Sequence, residues 1–171
     1  MLCDDRIIRN GCFSAEGATF THSGIQRAMG AEDAILEDAF VINEDRLKAS
    51  RVLVVDDEEA NVRLMGRILE RAGFVNHRGL SDARDVVGVF LEFQPDLVVL
   101  DLRMPHMDGF MVMEALAPLM TEDSFLPVLV LTAELSPEAK RRALNAGAND
   151  FLSKPFDTVE VILRIRNLLE I

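Results

Sequence analysis

The sequence predicts a doubly wound α/β domain, a five-stranded parallel sheet with helices on both faces. Three observations predict it. Apolar runs at 52–55, 97–100 and 128–131 are hydrophobic at every position, as in strands covered on both sides. Segments of helical periodicity lie between the runs. Glycine or proline closes these segments at Gly73, Pro95 and Gly147, so that strand and helix alternate along the chain.

Each element has its own signal. Val52, Leu53, Val54 and Val55 read as a buried strand. The helix after it carries Ala60, Leu64, Ile68 and Leu69 on one face and stops at Gly73. A short, weak strand is expected at 74–78. Ser81 and Asp82 open a second helix with Val86, Val87, Phe90 and Leu91, ended by Pro95. The strand at 97–100 and a helix at 111–119 follow, then the strand at 128–131. Ser136-Pro137-Glu138 starts a helix with a capping hydroxyl and a first-turn proline, closed at Gly147. A short fifth strand at 150–152 and a last helix at about 157–169 complete the series.

Residues 1–49 differ from this pattern and read as an N-terminal extension to a domain at 50–171. Positions 1–23 have no strand pattern and read as loop or disorder. A stripe of Ile25, Met29, Leu36 and Phe40 predicts an amphipathic helix at about 25–41, and 43–50 reads as a polar linker. Two readings of this segment stay open: a poorly ordered leader, or an amphipathic helix that packs on the domain or pairs two chains as a homodimer.

Of 171 residues, 49% are hydrophobic and 27% charged, with a net charge of −11. Nine acidic and five basic residues fall in 1–49, so neither part of the chain is basic. That excludes a phosphate-backbone binder and favours basic protein surfaces or metal ions as partners. The two cysteines, Cys3 and Cys12, have no metal-ligand spacing and suit free thiols in a reducing cytoplasm. No run reaches the length of a signal-peptide core or a membrane span.

The chemistry lies at strand ends, where open parallel sheets bind ligands. Asp56 and Asp57 follow the first strand, and Asp101 follows the third. If those strands are neighbours, three carboxylates converge, and each resists ionisation unless a cation intervenes. Magnesium suits the site, as a hard ion that keeps waters and needs only one or two carboxylates plus phosphate oxygens. Thr132 ends the fourth strand and offers a hydroxyl. Lys154 follows the fifth, next to Pro155, where a cis peptide is an option. A carboxylate nucleophile, a metal, a hydroxyl donor and a cation are the parts phosphoryl transfer needs.

Across about 50–171 the sequence resembles the receiver domain of two-component response regulators. The pieces that carry the resemblance are Val54-Val55-Asp56-Asp57-Glu58, Leu100-Asp101-Leu102-Arg103-Met104-Pro105-His106-Met107-Asp108-Gly109, Leu131-Thr132-Ala133, Gly147-Ala148-Asn149-Asp150-Phe151 and Lys154-Pro155-Phe156. Five pieces in this order, each at a strand end, are highly specific. The resemblance implies a flavodoxin-like strand order, 2-1-3-4-5. It implies Asp101 as phosphoacceptor, supplied by a histidine kinase or phosphotransfer protein. Asp57 would bind Mg2+ directly, Asp56 mostly through water, and the backbone carbonyl of Arg103 would complete the shell. Thr132 would be the switch hydroxyl, Lys154 the phosphoryl partner and Phe151 the switch aromatic, without the hydroxyl of the tyrosine often found there. Arg103 and Glu134 would flank the path of an attacking water.

A receiver is not a turnover enzyme; it catalyses only its own phosphorylation and dephosphorylation. Its expected output is a downstream effector protein or a C-terminal output domain beyond Ile171. Two other classes compete. A phosphorylation-independent scaffold would not need Asp101, Thr132 and Lys154 together. A Mg-dependent phosphohydrolase with an aspartyl-phosphate intermediate wants a second aspartate two residues after the nucleophile, and that position is Arg103.

Overall fold

Val52 to Val55 are all buried because both sides of their strand are covered. In the computed structural model, which describes residues 43–121, 124–133 and 136–170, they form β1 (Val52–Val55). Beside it lie β2 (His77–Leu80), β3 (Leu97–Asp101), β4 (Val128–Thr132) and β5 (Asp150–Ser153). All pairings are parallel, in the order β2-β1-β3-β4-β5. Val55 pairs with Leu100, Asp101 with Leu131 and Thr132 with Ser153. This register brings the carboxyl ends of four strands to one edge.

Side chains alternate across the sheet, so two cores form. Val52, Val54, Leu97, Val99 and Leu129 pack with Met65, Leu69, Val161 and Ile165, which come from α1 (Glu59–Arg71) and α5 (Thr158–Leu169). Leu53, Val55, Val98, Leu100 and Val130 pack with Val86, Val112, Leu116 and Ala143, from α2 (Val86–Phe93), α3 (Gly109–Leu116) and α4 (Pro137–Asn145). Helices therefore cover both faces.

Caps set the helix ends. Ser136 Oγ accepts from the Ala139 N–H at 3.1 Å, with Pro137 in the first turn. The Asp157 carboxylate accepts from Val159 and Glu160 at 2.9 and 3.1 Å. Gly73 and Gly147, at φ +90° and +107°, turn the chain out of α1 and α4.

Several sequence expectations are corrected. Residues 43–48 are helical, not a polar linker, because Leu47 is buried in the α1/α5 core. The second strand is His77–Leu80, three residues later than expected. Phe74, whose N–H bonds to the Leu69 carbonyl at 2.9 Å, is a fully buried anchor of the turn after Gly73. The buried face of α1 is Met65, Gly66, Ile68 and Leu69; Ala60 is exposed and Leu64 is 50% exposed. Leu91 also points outward. The helix predicted at 111–119 is α3 plus a 3-10 turn, Ala117–Leu119, where Pro118 has no N–H for an α-helical bond. The expectations for 1–23, the 25–41 helix, Cys3, Cys12 and Glu134 fall outside the described residues.

Candidate functional site

β1 delivers Asp56 to the sheet edge. Its N–H continues the ladder to the Leu80 carbonyl at 3.1 Å, and the residue is only 5% exposed. A carboxylate so deep needs partners, and it has three. Glu58 N–H donates to Oδ1 at 3.0 Å. The Asn61 amide, in the first turns of α1, reaches both oxygens at 3.1 Å. Lys154 Nζ donates to Oδ2 at 2.7 Å.

β3 delivers Asp101, 8% exposed, to the same edge. Carboxylate oxygens of Asp56, Asp57 and Asp101 all lie within 4.8 Å of one another. Burial pushes the Asp101 carboxyl above its ordinary value, and the Asp56 charge adds to this. Lys154 and a bond from the Arg103 backbone N–H pull the other way. Lys154 Nζ stands 3.5 Å from Asp101 Oδ2. Burial alone would depress its ammonium, but the bond to Asp56 and the charge of Asp101 raise it above the ordinary lysine value.

The remaining pieces are placed by backbone. Thr132 closes β4 at 1% exposure, and its carbonyl accepts from the Lys154 N–H at 2.9 Å. The Lys154–Pro155 peptide is cis. Phe151 is half-buried on β5, against the core that contains Val130. After Asp101 the loop returns so closely that a Cβ on Gly109 would meet the Asp101 carbonyl oxygen at 2.5 Å. Gly109 N–H closes the loop on the Leu102 carbonyl at 3.0 Å, and Asp108 caps α3 through Met111 N–H. Only glycine permits this approach.

Two hollows lie at this edge, and Asp101 lines the first of them. One, of about 240 Å³, is lined by Asp56, Asn61, Leu64, Lys154 and Phe156. The other, of about 440 Å³, lies among Arg103, Met104, Asp108, Phe110 and Thr132. Three hard oxygen ligands and a neighbouring cation suit a magnesium ion and a phosphoryl group. Asp56, Asp57, Asp101, Thr132 and Lys154 are thus brought to one edge. Sequence reasoning missed Asn61; its signal was an amide five residues after Asp56, on the helix that the strand feeds.

Comparisons with known proteins bear on the family and the fold. Residues 52–166 match the response regulator receiver domain family model. The chain is 34% identical over 122 residues to the regulatory protein AtoC of Escherichia coli, covering 71% of this chain and 26% of that protein. It is 38% identical over 120 residues to the transcriptional regulator RpaA of Synechocystis, covering 70% and 48%. The match therefore spans less than half the length of either relative. Among solved structures, Vibrio cholerae chemotaxis protein CheY4 superposes with a TM-score of 0.65 at 28% identity, covering 70% of this chain and 98% of that one. No helix among the described residues is long and apolar enough to cross a membrane.

Proposed function

The chain belongs to the response regulator receiver domain family, and from that premise we propose that Asp101 accepts a phosphoryl group from a histidine kinase or a phosphotransfer protein. The observation that carries this reading is the convergence of Asp56, Asp57 and Asp101 within 4.8 Å, with Lys154 bridging two of them at 2.7 and 3.5 Å.

In this reading an Asp101 carboxylate oxygen attacks the phosphorus of a phosphohistidine. An O–P bond forms, the P–N bond breaks, and its electron pair leaves on the imidazole nitrogen. Negative charge gathers on the phosphoryl oxygens as this happens. Lys154, already tethered beside Asp101, neutralises one oxygen, and the Thr132 hydroxyl donates to another. A magnesium ion would be held by Asp57, Asp101 and the Arg103 carbonyl, with Asp56 acting mostly through water, and would supply the positive charge that lets anionic donor and anionic acceptor meet. Thr132 moving toward the phosphoryl group vacates space that Phe151 enters, and this is the switch a partner or output domain reads. The protein acts in the cytoplasm.

The test is transfer of radiolabelled phosphoryl from an autophosphorylated histidine kinase in the presence of magnesium. Label should move to the chain, be released by hydroxylamine as an acyl phosphate is, and be absent from Asp101→Asn. Label resistant to hydroxylamine, or retained by Asp101→Asn, would overturn the assignment.

A further inference from the structure

The chain enters β1 across α1 and α5. In the helix of residues 43–48, Glu44 is ion-paired with Arg166 of α5, and Leu47 is buried among core residues that include Phe74 and Leu168. Lys48 lies 3.1 Å from where a Cβ on Gly73 would be. Beyond this anchor a groove of about 420 Å³ runs between the helices, lined by Ile68, Ala72, Val159, Ile162, Leu163 and Arg166. Val159 is 66% and Leu163 54% exposed, so the apolar part of its wall is left open by the described residues. Arg166 is both a wall of the groove and the partner of Glu44, so position 43 starts at its rim.

Sequence and charge name an occupant. Carried back at helical spacing, the face holding Glu44 and Leu47 falls on Phe40 and Leu36. Residues 25–41 carry Glu32, Asp33, Glu37 and Asp38 against Arg27 alone. Arg71 lies in the groove and has no ion pair among the described residues. We propose that residues 25–41 of the same chain cover the α1/α5 groove, with Leu36 and Phe40 against Val159, Ile162 and Leu163 and the acidic residues toward Arg71. No groove residue lines the hollow beside Asp101, so the covered groove leaves the carboxylates open.

The test uses the full chain with Cys3→Ser, Cys12→Ser and Leu163→Cys. The thiol at 163 should be alkylated about tenfold more slowly than in the same chain also carrying Leu36→Asp and Phe40→Asp, both at monomer mass. Equal rates would overturn the proposal. Slow alkylation that speeds up on dilution, with a dimer mass, would give the groove to a second copy and overturn it too. Hydrogen exchange on the unmodified chain is an independent check: amides of 25–41 should exchange about tenfold more slowly than in a free peptide of that sequence. Exchange at the peptide's rate would also overturn the proposal.

Discussion

Lys154 donates a 2.7 Å hydrogen bond to Asp56, a residue 98 positions earlier in the chain. The bond ties the end of β5 to the end of β1 across β3 and β4, and its ammonium stands nearer to Asp56 than to Asp101.

Removing that cation leaves two buried carboxylates facing each other. Lys154→Ala should lower metal-free stability by about 1–3 kcal/mol, below the usual cost of breaking a buried pair because the lysine is partly exposed. Urea unfolding with and without magnesium checks this: the deficit should shrink when magnesium replaces the lost charge. A deficit that magnesium leaves untouched would mean the lysine acts through packing.

Asp101→Asn should act in the opposite direction. The folded Asp101 value is raised above 3.8, chiefly by burial. The native state therefore binds more protons than the unfolded state between 3.8 and the folded value, and stability falls as pH rises through that window. At neutral pH without metal, Asp101→Asn should be the more stable protein, by about 1 kcal/mol. The advantage should vanish as pH drops below the ordinary carboxylate range. Thermal melts at pH 7 and pH 3.5 measure both points.

Asn61 holds both oxygens of Asp56. Groups that orient metal ligands commonly change metal affinity ten- to a hundredfold when removed. Asn61→Ala should weaken magnesium binding by about tenfold with the fold intact, read by calorimetric titration. An unchanged affinity would make Asn61 a structural partner alone.

Arg103 is exposed on the rim of the hollow beside Thr132. Arg103→Ala should change the phosphoryl lifetime by about three- to tenfold, within the range of one positioned group, and magnesium affinity by less. A lifetime equal to wild type would remove Arg103 from the water path.

The central strands and the site edge were legible because their signals are local. Runs such as 97–100 admit one reading, and a residue that follows such a run falls at the sheet edge. Edge strand β2 was less legible: His77, Arg78 and Leu80 are only half-buried, so no apolar run marks it, and the more hydrophobic Phe74 drew the expectation three residues early. The α1 face was misread at Leu64 because an apolar side chain beside the Asp101 hollow looks the same in sequence as one in the core. Leu47 was hidden in a charged stretch whose partner, Arg166, lies 122 residues away. Asn61 was missed for the same reason: its role exists only once β1 and α1 are in place.

Intact mass after incubation with acetyl phosphate and magnesium tests the central claim most directly. The chain should gain one phosphoryl group, and the gain should disappear in Asp101→Asn and on chelating magnesium. A gain that persists in Asp101→Asn, or no gain from acetyl phosphate or any histidine-phosphorylated donor, would contradict Asp101 as the phosphoacceptor.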